Sequence, residues 1–228
     1  MGRGSGGTKG GASGSKRPWV TLVPNNKISI GIDKRAWKYS KELSTIADKK
    51  VYNEVMDGIA KFNSIFGMDD HQKNILLGTL KSGAAGVTYY TKGTGKIAGI
   101  LLDKGTFMRS YDDLVKTVEK QVNSGYWVKT KYPAQVTVVH ELAHTLWNSG
   151  WWSSMDQGKM AMTFSRFRNK YNTREELKKA GWGAYARTSP NEFFAEGLAK
   201  HILGKPDEFT KVIMEVAKNS DRNLKKKI

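Results

Sequence analysis

Between Pro133 and Asn148 an apolar stretch, Val136-Thr137-Val138-Val139 followed by Leu142, Ala143, Leu146 and Trp147, carries His140, Glu141 and His144 in its middle. No other segment constrains the fold as strongly. Pro133 suits a first helical position and Gly150 lies beyond the end, so the segment reads as one buried helix. Residues four apart share a helical face, so His140 and His144 can turn both imidazoles toward a single metal ion. Glu141 is rotated by roughly 100° from His140, which leaves its carboxylate beside that ion, placed to take a proton from an activated water. A dry surrounding strengthens the electrostatics of such a site.

The chain has no cysteine and 4 histidines, so any metal must be held by His, Asp or Glu. A catalytic zinc wants three protein ligands and one open position. Downstream, Glu192 and Glu196 share a helical face inside the apolar run Phe193-Phe194-Ala195. Spacing leaves both open: Glu192 reads equally well as closing a capping box with Ser189, and Glu196 as a partner for Lys200 four residues on. His71, in Asp69-Asp70-His71, reads as a solvated loop, and His201 falls on another face than Glu196. Trp147, Trp151 and Trp152 read as core packing rather than a specificity wall.

Around this centre the pattern predicts an α+β fold. Leu43, Ile46, Val51, Val55, Ile59, Phe62 and Phe66 recur at helical steps, predicting an amphipathic helix from Lys41 to Phe66. Val87-Thr88-Tyr89-Tyr90 and Ile97 to Leu102 flank Lys92-Gly93-Thr94-Gly95, predicting a β-hairpin and a small sheet. The Ile97 to Leu102 strand is one candidate for the edge along which an extended peptide would lie; an ordinary core strand is the other. Ser110 and Asp113 open a helix over Tyr111 to Asn123 that Gly125 ends. Residues 151 to 188 read as an irregular insert with one or two short helices, including a capping box at Thr173-Arg174-Glu175-Glu176. A helix is expected from Ser189-Pro190 to before Gly204. The last starts near Pro206 with Phe209, Val212, Ile213 and Val216 on one face. Residues 18–217 are thus expected to form one catalytic domain.

Flanking it, residues 1–17 are rich in glycine with almost nothing apolar and read as a disordered basic leader. Residues 218–228 read as a basic tail. Much of the net charge of +17 sits in these ends, on Arg3, Lys9, Lys16 and Arg17 and on Lys218, Arg222, Lys225, Lys226 and Lys227. Such ends fit contact with nucleic acid or another polyanion, or a solubilising terminus. The sequence offers neither the apolar core of a signal peptide nor a membrane span, so the expectation is a soluble protein, cytoplasmic when made, with virion association as a further option.

HELAH at 140–144, followed by YARTSPNEFFAEGLA at 185–199, resembles the catalytic core of metallopeptidases of the anthrax lethal factor type, a gluzincin group. The match is local to the last hundred residues or so, and similar domains occur as stand-alone proteins in bacterial mobile elements and phages. The resemblance implies a zincin-like fold, one catalytic zinc held by His140, His144 and Glu192, and Glu141 as general base. It further implies a peptide or protein substrate, whose carbonyl oxygen the hydroxyl of Tyr185 would stabilise, and Glu196 behind the ligands orienting a histidine. Ser189-Pro190 interrupts the Tyr-to-Glu spacer without removing a functional group. Two other readings compete: a basic nucleic-acid- or virion-associated binding protein whose metal site is structural or degenerate, and a zinc hydrolase acting on a non-peptide amide.

Overall fold

Every residue from Pro133 to Leu146 is buried, and the rest of the architecture follows from what covers that helix. A computed structural model describes residues 41–66, 74–80, 84–90, 97–147 and 152–225. The expected leader and His71 lie outside these residues. Helix α1 spans Lys49–Phe66 and buries Val51, Val55, Ile59, Phe62 and Phe66. It does not run back to Lys41 as the apolar spacing predicts; Lys41–Thr45 is a separate 3-10 turn. The break is made by Asp48, whose Oδ1 accepts the amides of Lys50 (2.8 Å) and Val51 (3.3 Å) and so caps α1.

Among the described residues the sheet has three strands, β1 (Asn74–Gly78), β2 (Gly86–Tyr90) and β3 (Ile97–Asp103), in the order β1-β3-β2. The antiparallel β2–β3 pair is the expected hairpin, whose turn residues 92–95 lie outside the described residues. β1 runs parallel to β3. That pairing decides between the two readings of Ile97 to Leu102: it is a core strand, central and bonded on both sides, and presents no edge. Alternation gives the sheet two faces. Ile75, Leu77, Ile100 and Leu102 enter the main core, while Leu76 and Leu101 form a smaller cluster with Leu80 and Tyr89.

A single turn, α2 (Lys104–Phe107), leads to α3 (Tyr111–Asn123), where Ser110 accepts the amide of Asp113 as expected. Gly125 leaves the helix at φ 69°, a conformation that favours glycine. Helix α4 (Pro133–Trp147) follows, its start fixed by Glu54 of α1, which accepts the Ala134 amide at 2.9 Å. Residues 154 to 170 are not irregular but a 17-residue helix, α5 (Ser154–Lys170). It buries only Asp156, Met160, Thr163 and Phe167 and leaves Met155 and Met162 exposed, so its apolar pattern is too thin to read. Helix α6 (Arg174–Lys179) opens on the expected capping box, Thr173 with Glu176.

A 3-10 turn, Ala184–Arg187, precedes α7 (Pro190–Leu203) and α8 (Glu208–Lys225). Helix α8 carries residues 218–225, so the basic run begins on a helix. The rings of Phe167, Trp182, Phe193 and Phe209 pack together, with Phe167 at 4.7 Å from Trp182 and 4.6 Å from Phe193. Helix α4 packs against both α7 and α1, and these four rings belong to the same buried core. The molecule is mostly helical with a small mixed sheet, an α+β arrangement, and among the described residues no helix is long and apolar enough to cross a membrane.

Candidate metal centre

Helix α4 delivers its two histidines to one point. The Nε2 atoms of His140 and His144 stand 3.0 Å apart. From α7, Glu192 Oε2 lies 3.1 Å from His140 Nε2 and 3.4 Å from His144 Nε2. Two nitrogens and one carboxylate oxygen therefore form a nearly equilateral triangle, buried on all three members. Among the described residues this is the one group of three or more side chains able to hold a metal ion. The placement of Glu192 follows from its helix start: Ser189 accepts the Glu192 amide at 3.1 Å as N-cap and Pro190 occupies the first turn. Only half of a capping box forms, because the Glu192 carboxylate turns to the histidines instead of back to the cap.

Burial alone would raise the pKa of Glu192, but hydrogen bonds from His140 and His144 outweigh it and hold the carboxyl well below the usual range. Burial would correspondingly lower His144, and the hydrogen bond and charge of Glu192, with the charge of Glu141, raise it instead. His144 Nδ1 faces Asn191 Oδ1 at 2.8 Å. An amide oxygen only accepts, so Nδ1 carries a proton toward Asn191, and Nε2 is the ring atom that faces the triangle. His140 Nδ1 is buried without a hydrogen-bond partner among the described residues.

Glu141 sits beside the triangle, 6% exposed. The hydroxyl of Thr88 on β2 lies 2.8 Å from its Oε2 and 2.9 Å from its backbone oxygen. Gly86, two residues earlier on the same strand face, is tight against it: a Cβ there would stand 2.8 Å from Glu141 Cγ.

Tyr185 rides on the 3-10 turn. Its half-buried ring lies 6.1 Å from that of His140 and 6.0 Å from Trp127, and Trp127 in turn lies 5.0 Å from His140. Burial, reinforced by the Glu192 charge, pushes its phenol far above the ordinary value, so it is a donor at any working pH. Glu196 reaches neither histidine. Its Oε1 accepts the amide of Gly183 at 2.7 Å, just before the tyrosine turn, and its Oε2 is buried without a partner among the described residues. The ion pair with Lys200 is absent too, since Lys200 Nζ donates to the Lys205 carbonyl at 2.6 Å and pairs with Asp207 at 3.3 Å. Burial raises the Glu196 carboxyl to about 8.

The remaining candidates fall away from the centre. His201 Nδ1 faces the Thr210 carbonyl at 3.0 Å. Trp147 and Trp152 pack on Phe194 at 5.5 and 5.1 Å, while Trp151 lies outside the described residues. Sequence reasoning did not find Asn191, Thr88 or Gly86. Asn191 carried a signal in its place directly before Glu192, half-buried in the first turn of α7; the two β2 residues carried none. Comparison with protein-family models, with curated proteins and with solved structures returned no match. Fold and site together define an α+β protein with a buried His-His-Glu group that could hold a metal ion.

Proposed function

We propose that this chain is a zinc-dependent metalloendopeptidase of the gluzincin kind, with a zincin-like fold and with His140, His144 and Glu192 as zinc ligands. The observation that carries the reading is the donor triangle. Its edges of 3.0, 3.1 and 3.4 Å are close to the ~3.3 Å that separates ligands about 2.0 Å from a shared tetrahedral zinc. Two imidazole nitrogens and one carboxylate are the donor set of a hydrolytic rather than a closed structural site, which takes four protein ligands. The motif resemblance of 140–144 and 185–199 to peptidases of the lethal factor type supports the same assignment.

Zinc held there would polarise a scissile carbonyl and make water a nucleophile near neutral pH. Glu141, with one oxygen engaged by Thr88, takes the proton of the attacking water and passes it to the leaving amine. Tyr185 donates its hydroxyl proton in a hydrogen bond to the carbonyl oxygen as negative charge develops there. With β3 central, the strand available to an extended peptide is β2, which is outermost among the described residues and whose inner face touches Glu141.

Digestion of an unlabelled peptide library by the purified chain tests the proposal. New termini should appear, vanish with chelator, return with zinc and be missing for Glu141→Gln. A wild-type chain that binds zinc and cleaves nothing overturns the peptidase reading and favours the basic binding protein.

A further inference from the structure

Resting on the peptidase reading, we infer that Thr88, seated beside Gly86, is a positioning residue for Glu141: strand β2, not only helix α4, sets where the general base points. Three torsions separate a glutamate carboxylate from its backbone, and a helix fixes none of the outer ones. Something else must hold it. The Thr88 hydroxyl has one proton and two acceptors within reach, Glu141 Oε2 at 2.8 Å and the Glu141 carbonyl at 2.9 Å. The carbonyl lies inside α4 and is already used by the helix ladder, and a hydrogen bond to a carboxylate is the stronger of the two. The proton therefore goes to Oε2, which leaves Oε1 to receive the proton of the water.

Gly86 acts on the same carboxylate from beside it. A Cβ there would come 3.2 Å from both Cδ and Oε1 and 2.8 Å from Cγ, so a side chain at this position would displace the carboxylate. Both residues are carried by a rigid element. Gly86 pairs with Leu102 and Thr88 with Ile100, and those two side chains are among the most buried in the core. The base is thus gripped between a core-anchored strand and a buried helix. Displacing a reacting group by about 1 Å costs on the order of a hundredfold in rate, which sets the scale of the expected effect.

The experiment compares Thr88→Val, Thr88→Ala and Thr88→Ser. Each is assayed for zinc per chain and for kcat and KM on a peptide cleaved by the wild type. Thr88→Val and Thr88→Ala should lose roughly ten- to a hundredfold in kcat, with KM and zinc content unchanged, and Thr88→Ser should restore most of it. In parallel, a urea-unfolding cycle of Thr88→Val with Glu141→Ala is run on metal-free protein. It should show a coupling of about tenfold in the unfolding constant. Wild-type kcat in both hydroxyl-free variants, loss of zinc along with activity, or strictly additive effects in the cycle would overturn the inference. If the wild type cleaves nothing, the peptidase reading fails separately, and the cycle still decides whether Thr88 holds Glu141.

Discussion

Asn191 Oδ1 stands 2.8 Å from His144 Nδ1, so the residue directly before one donor of the triangle fixes the ring of another. Groups that hold the outer nitrogen of a ligating histidine fix its tautomer and orientation, and their removal typically lowers metal affinity by ten- to a hundredfold. Asn191→Ala is therefore expected to weaken zinc binding by roughly that factor, read by competition with a chromogenic chelator. Asn191→Asp keeps an acceptor at the position and should bind at least as tightly as wild type. Equal affinity in Asn191→Ala would show that the contact does not act on the metal.

Because Glu192 bridges both histidines, zinc should stabilise the fold through it. A ligand at a hundred times its Kd adds about 2.7 kcal/mol to the native state. Thermal unfolding of the metal-stripped chain should shift upward by several degrees when zinc is added. Glu192→Ala should abolish the shift, and Glu196→Ala should retain it, since Glu196 touches neither histidine and bonds to Gly183. A zinc response that survives Glu192→Ala would remove this carboxylate from the ligand set.

The two helices that build the centre were legible because each carries its own punctuation and its own anomaly. Pro133, Ser189-Pro190 and Gly204 mark ends that the structure reproduces, and His140, His144 and Glu192 stand as ionisable groups in apolar runs. Other parts depend on partners that a local pattern does not encode. β1 offers only Ile75-Leu76-Leu77 between its ends, too short a run to separate from a helix fragment, and its parallel pairing is what makes β3 central. Helix α5 buries a narrow stripe. The break before α1 turns on Asp48, whose second oxygen holds the Tyr111 amide at 2.7 Å, a contact 63 residues away in the chain. Thr88 and Glu141 meet across 53 residues, and nothing in β2 itself announces it.

Glu196 should make stability fall as pH rises. Its folded carboxyl is raised from 4.5 to about 8, chiefly by burial, with the Gly183 hydrogen bond opposing and the Glu192 charge adding. Between those values the native state keeps a proton that the unfolded chain has released, so the slope of stability against pH is negative there. At about 1.4 kcal/mol for each pKa unit, the full effect is on the order of 5 kcal/mol. Its contribution is intact below pH 4.5 and lost by about pH 8. Glu196→Gln cannot ionise and keeps an acceptor for Gly183, so in zinc-free buffer it should gain on the wild type progressively from pH 5 to pH 8. A gap in urea-unfolding free energy that stays constant over that range would show that Glu196 is ionised throughout.

Tyr185 separates chemistry from architecture. Its ring packs on Tyr126 at 5.5 Å, Trp127 at 6.0 Å and His140 at 6.1 Å, so Tyr185→Phe removes a hydroxyl and leaves the packing in place. Under the proposed mechanism that hydroxyl meets charge that appears only as the carbonyl is attacked. Loss of one such donor costs about 10²- to 10³-fold in kcat, with zinc content, KM and the unfolding midpoint close to wild type. Gly183→Ala perturbs the same turn differently. A Cβ at position 183 would overlap Glu196 Oε1, the Tyr126 carbonyl and the Trp127 backbone, and the last two are main-chain atoms that cannot swing aside. That variant should lose stability and activity together. If Tyr185→Phe instead keeps full kcat while Gly183→Ala is inactive, the turn serves to close the wall of the site, and the hydrogen-bond donor to the carbonyl must be sought elsewhere.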